Sequence, residues 1–164
     1  MQEFEGVFQA TSKPARDAKG YHVTVMLPGT ANDLILSEAV LRAAAPLWNG
    51  VNCMVDHELY TPSSERVCGV FANARWSDAE QGVVATVRPT GPKADLLRMY
   101  ADEMLDAPDQ PKPNIGFSAV IILQRQDNVI TKILRVKSTD LVVDPAFNTK
   151  FLVAQFQKET PMPD

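Results

Sequence analysis

The chain has 164 residues, of which 45% are apolar and 22% charged, enough for one domain with its own hydrophobic core. Its 16 basic and 20 acidic side chains leave a formal charge of -4, which excludes the concentrated basic surface that general nucleic-acid binding needs. The N-terminus, MQEFEGVFQA, is too polar and acidic for a secretory signal, and no apolar run approaches the ~20 residues that span a bilayer. Two cysteines, Cys53 and Cys68, make no disulfide framework. Reduced, buried thiols in a protein that works inside a cell are expected.

In chain order, Phe4 to Ala10 alternates polar and apolar and predicts a strand. Lys13 to Gly20 is charged and turn-rich. Tyr21 to Leu27 resumes the alternation, with Tyr21, Val23 and Val25 on one face, until Pro28-Gly29 breaks it. Ser37 is the predicted N-cap of a helix carrying Val40, Leu41, Ala44 and Leu47 at helical spacing, and Gly50 lies just past its end. The short apolar strand Val51 to Val55 runs directly into Asp56-His57-Glu58 and a polar loop over 59–65. Val67 to Trp76 and Val83 to Val87 form a predicted hairpin.

Gly91-Pro92 opens a second helix with Leu96, Leu97, Tyr100 and Met104 along one stripe. The three prolines between Ala107 and Asn114 demand an irregular loop. Ile115 to Leu123 is the most apolar strand, with Ser118 inside it, and Val129 to Val143 supplies one or two more, ending at Asp144-Pro145. Seven or eight strands, two helices and no βαβ alternation predict a mainly β fold of the α+β kind. The expected architecture is an antiparallel barrel or sandwich with helices packed outside. Residues 1–156 are expected to form the single domain and 157–164 a polar tail.

Only two histidines are available for acid–base work. His22 sits in an alternating strand, opposite Val23, and reads as an exposed strand residue. His57 ends a buried strand and precedes a Pro/Ser loop, where a side chain can be aimed into a cleft. Ser118 is a small hydroxyl among large apolar residues, and Gly116, two positions earlier on the same face, leaves room beside it. The bland alternative is a core serine bonded to a backbone carbonyl. This is not the G-x-S-x-G elbow, which needs a strand-to-helix turn.

Asp140 is flanked by Leu141-Val142-Val143 and must seek a cationic or N–H partner, with His57, Arg135, Lys137 or a backbone amide as candidates. Asp144, beside Pro145, reads as a turn residue. A zinc site from Cys53, His57 and Cys68 lacks the C-x-x-C or H-x-x-x-H pairing that would support it, so no metal or cofactor is expected.

The ordered segments Gly50-Val51-Asn52-Cys53-Met54-Val55-Asp56-His57, Cys68-Gly69-Val70-Phe71-Ala72-Asn73-Ala74, Ile115-Gly116-Phe117-Ser118-Ala119 and Ser138-Thr139-Asp140-Leu141-Val142-Val143-Asp144-Pro145-Ala146 resemble the prohead proteases of tailed bacteriophages, over about residues 20 to 152. The resemblance implies an antiparallel β-barrel of the herpesvirus assembly-protease type. It also implies a serine endopeptidase with Ser118 as nucleophile, His57 as base and Asp140 as the acidic third member.

The substrates so implied are scaffold and major capsid protein, and the chain itself, cleaved inside the assembling prohead in the host cytoplasm. A homodimer or higher oligomer, as in the herpes enzymes, is part of that expectation; nucleic acid and membrane are not. Oxyanion donors stay open between backbone N–H groups beside Ser118 and Arg88, Arg125 or Arg135. Ser138 is the reserve nucleophile. The alternatives from other classes are a catalytically silent scaffold or capsid-interaction module on the same fold, and a β-barrel that binds a small ligand.

Overall fold

The structure, a computed structural model, describes residues 4–10, 15–17, 20–31, 33–56, 64–106, 109–111 and 115–143. Among these the strands are β1 (Phe4–Ala10), β2 (Ala15–Asp17), β3 (Gly20–Met26), β4 (Gly29–Ala31), β5 (Leu34–Leu36), β6 (Asn52–Met54), β7 (Val67–Ser77), β8 (Gly82–Pro89), β9 (Ile115–Gln126) and β10 (Val129–Val143). The α-helices are α1 (Glu38–Ala44) and α2 (Ala94–Asp106). No helix among the described residues is long and apolar enough to cross a membrane.

The strands make two five-stranded sheets, ordered β1-β9-β10-β5-β4 and β2-β3-β8-β7-β6. Pairing is antiparallel except where β5 meets the start of β10 and where Val55, just beyond β6, bridges to Leu141 near its end. The expected barrel therefore does not close: β1 and β4 remain edges of one sheet, and β2 and β6 of the other. Closure needs a continuous ladder with consistent stagger around the whole circuit. Here a three-residue strand reaches β10 through one bridge.

The long elements follow from their patterns. Tyr21, Val23 and Val25 of β3 are buried as their alternation requires, and the β7–β8 hairpin turns over residues 78–81. In β8, Val83 to Val87 are buried without a break, and both helices contact this strand. Ser37 caps α1, its Oγ accepting from the Val40 amide at 3.2 Å. Gly50, past the helix, adopts φ +80°, a conformation that favours glycine.

One expectation for this helix fails. Pro46 ends the α-helical spacing, and Ala45–Trp48 wind as a tighter 3-10 turn. The tighter turn leaves Leu47 39% exposed and buries Trp48 completely. From there the Trp48 indole N–H donates to Thr139 Oγ1 at 2.9 Å, a fully buried bond that ties the end of α1 to β10 beside Asp140. Thr139→Val keeps the shape but strands the indole N–H. It is expected to cost about 1–3 kcal/mol, read as a lower urea midpoint at unchanged slope.

Helix α2 lies on the second sheet through Leu97 and Ala101, with Tyr100 and Met104 half-buried, and Tyr21 donates its hydroxyl to Asp102 at 2.7 Å. Gly69 of β7 permits the approach. A methyl group there would come within 2.9 Å of Val87, 3.0 Å of the Arg88 carbonyl and 3.1 Å of Leu97.

Candidate active site

Strand β9 presents two different faces. Ile115, Phe117, Ala119, Ile121 and Leu123 point into the main core, so Gly116, Ser118, Val120 and Ile122 share the other face. Ser118 is fully buried, and its Oγ has no hydrogen-bond partner among the described residues. The structural reading of Ser118, a core hydroxyl bonded to a carbonyl, is thus not what is found. A buried polar group without a partner costs about 1–3 kcal/mol, a cost that a core position has no reason to carry.

Directly across the ladder from Ser118 stands Asp140 of β10, 3% exposed. Opposed residues in an antiparallel pair share a face, with Cβ atoms about 4.5–5.5 Å apart. The alignment depends on irregularity. The β9–β10 register shifts at Ile130/Lys132, at Ile133/Arg135 and again at Val136/Ser138. Each bulge adds one residue and turns the following side chains over. Ile130, Ile133 and Val136 therefore all reach the core at spacings of three, and Asp140 arrives on the face opposite to Ile130, beside Ser118.

The third element comes in from the far edge of β10. Val55 bridges to Leu141, and the Asp56 amide donates to the Leu141 carbonyl at 2.9 Å. Asp56 thus lies one strand spacing from Asp140's strand and two from Ser118's, roughly 5 and 10 Å. His57 itself lies outside the described residues, as do 58–63 and 144–164, which include Asp144 and the expected tail. Asp56 has φ +61°, a left-handed conformation that an aspartate tolerates better than most side chains.

The two thiols pack behind this junction. Cys68 Sγ is 3.4 Å from Cys53 Sγ, and both residues are fully buried. Burial pushes the Cys53 thiol well above its ordinary value, with further contributions from Cys68 and from the nearby charge of Asp140. Such a thiol is a packing element rather than a nucleophile. No group of three or more His, Cys, Asp or Glu positioned to hold a metal occurs among the described residues.

Several other candidates fall away from the site. His22 is half-buried rather than exposed and pairs with Thr86 in the second sheet. Arg88 is in that sheet too, opposite Val70. Arg125 is seven residues along β9 from Ser118, ~23 Å at strand spacing. Arg135 is exposed and paired with Ile122, four positions from Ser118, and Lys137 is the exposed extra residue of the third bulge. Ser138 is half-buried opposite Val120, two positions along the ladder from the Asp140–Ser118 pair.

No family model matches this sequence, and no curated protein does. The structure does find a match among solved proteins: the capsid assembly protease of bacteriophage T4, gp21, at a TM-score of 0.56 and 9% sequence identity, over 87% of this chain and 99% of that one. The chain is folded like a phage capsid assembly protease. At this identity the likeness to the T4 protease concerns the fold alone, and it shows no relation to the herpesvirus assembly protease.

Sequence reasoning missed one residue of this neighbourhood. Arg66, the last residue of a 3-10 turn (Ser64–Arg66) just before β7, donates from Nη1 to the carbonyls of Val55 and Asp56, both at 2.9 Å, while its own carbonyl accepts from the Val55 amide at 2.8 Å. Its position after a polar loop carries no signal that separates it from any surface arginine.

Proposed function

We propose that the chain is a prohead maturation serine endopeptidase, with Ser118 as nucleophile, His57 as general base and Asp140 as the group that orients and stabilises the imidazolium. The observation that carries this reading is the buried, unbonded Ser118 hydroxyl opposite buried Asp140, with the residue before His57 hydrogen-bonded to Leu141. A serine hydroxyl attacks a peptide carbonyl only when a base takes its proton, and neutral imidazole does so near pH 7. A carboxylate on the other ring nitrogen holds the required tautomer. The histidine then gives that proton to the departing amine as the peptide bond breaks and the acyl-enzyme forms, and takes a proton from the water that hydrolyses the ester and frees the serine.

Scaffold and major capsid protein are the proposed substrates, together with the chain's own tail, by analogy with the name of the T4 protein. Ser118 is fully buried, so a substrate reaches it only when that face opens. Slow turnover in dilute solution is therefore part of the proposal, as is acceleration inside an assembling shell, where copies concentrate.

A serine-reactive phosphonate, applied to the native chain, to Ser118→Ala and to His57→Ala, tests the reading. Labelling of the native chain alone supports it. An unlabelled native chain, including under conditions where the shell assembles, favours the silent capsid-interaction module instead. The pH profile gives a second measure: kcat/KM should rise with pH as the His57 imidazolium loses its proton, because His57 must be neutral to act as base. A flat profile from pH 5 to 8 removes His57 from the mechanism.

A further inference from the structure

We infer that Trp48 is a positioning residue for Asp140, acting through Thr139; this rests on the functional reading above. The Trp48 indole N–H donates to Thr139 Oγ1 at 2.9 Å, and both residues are fully buried. Thr139 stands opposite Ala119 on the core face of the β9–β10 ladder, while Asp140 stands opposite Ser118 on the other face. Successive side chains of a strand point to opposite faces, so whatever fixes the direction of Thr139 also fixes that of Asp140.

That direction has a competitor. The third bulge of β10, between Val136 and Ser138, lies just before the pair. Without it the ladder would run on from Val136–Ile121, placing Thr139 opposite Ser118 and Asp140 opposite Phe117 in the core. Only in the bulged register does Thr139 face the core, where the indole can reach its hydroxyl. Burial of a carboxylate among apolar side chains already opposes a full slip. The indole acts on a finer scale: an enclosed, rigid ring at the end of the 3-10 turn Ala45–Trp48 anchors β10 at the residue beside Asp140.

Stability alone does not call for this bond. Replacing both partners of a buried hydrogen bond by apolar groups of the same shape is nearly neutral. What apolar contact does not supply is direction, because the hydrophobic effect is non-directional. The carboxylate of Asp140 can orient an imidazolium beside Ser118 only if it is held in place, and a misplacement of 1 Å can cost ~10²-fold in rate.

The test uses Thr139→Val, Thr139→Ser and Trp48→Phe in the full chain. Thr139→Val keeps the shape and removes the acceptor; Thr139→Ser keeps the acceptor and removes a buried methyl group. Both should lower the urea midpoint, so a merely structural role predicts that the two behave alike. Positioning predicts that they part. In Thr139→Val kcat should fall by about 10²-fold at unchanged KM, while Thr139→Ser stays within about threefold of the native chain. Trp48→Phe, which removes the donor, should repeat the loss. Cross-strand nuclear Overhauser effects between Ser118 and Asp140 should weaken in Thr139→Val and persist in Thr139→Ser.

A native kcat in folded Thr139→Val would overturn the inference, and so would equal losses in Thr139→Val and Thr139→Ser. If Thr139→Val does not fold, Trp48→Phe decides in its place, and a native kcat there overturns the inference as well. If the native chain neither labels nor cleaves, the functional reading has failed. The Overhauser effects then still report whether the Trp48–Thr139 bond holds Asp140 opposite Ser118, and unchanged effects in Thr139→Val would show that it does not.

Discussion

Ser118→Ala is expected to abolish peptide cleavage, by about 10⁴-fold or more, and at the same time to leave the folded protein as stable as the native chain or more so. The two halves of this result have one cause. The Ser118 hydroxyl is fully buried without a hydrogen-bond partner among the described residues, so removing it relieves a cost of about 1–3 kcal/mol, against which the loss of one small atom from packing is minor. An ordinary core serine would behave in the opposite way, since its alanine variant loses a bond. The measurement pairs a single-turnover cleavage assay with a urea unfolding curve. A variant that is less stable but still cleaves at the native rate would show Ser118 to be structural and leave Ser138, two positions along the ladder, to be tried.

Asp140→Asn should reduce kcat on the order of 10⁴-fold without unfolding the chain, because an amide in place of the carboxylate favours the wrong histidine tautomer and no longer stabilises the imidazolium. The substitution conserves volume at a site 3% exposed, so packing is preserved. Cys53 offers a control on side effects. Burial is the first cause of its raised thiol pKa and Asp140's charge only a later one, so the thiol should stay inert to alkylation in folded Asp140→Asn. Full activity in this variant would mean that the third member lies elsewhere. Rapid alkylation would mean that the neighbourhood had opened, and that the lost activity reflects structure.

Much of this molecule was legible in its sequence. The alternation of Tyr21, Val23 and Val25 placed β3, the Ser37 cap and Gly50 bounded the segment holding α1, and the apolar run from Ile115 delivered β9 with Ser118 within it. These features are local: periodicity, capping and turn chemistry act over a few residues. The short strands β2, β4 and β5 were not visible, because three residues carry no period and exist only through their partners. Leu47 was misplaced for a similar reason, since the 3-10 turn after Pro46 rotates the chain away from helical spacing.

The candidate site was legible as residue types and illegible as geometry. Ser118, His57 and Asp140 stood out as polar groups at apolar strands or their ends, but no pattern said which of them would meet. Simple alternation along β10 would put Asp140 on the face of Ile130, in the main core. An odd number of bulges turns it to the face of Ser118. A bulge is set by how two strands twist and pack against each other, so its position is written in the pairing and not in either strand. The same holds for Arg66, whose bonds to Val55 and Asp56 join segments ten or so residues apart across a loop of no distinctive composition. Local chemistry thus determined the long strands, the cap and the candidate residues; long-range pairing alone decided that the sheets stay open, that Asp140 faces Ser118, and that Arg66 holds the Val55 and Asp56 carbonyls.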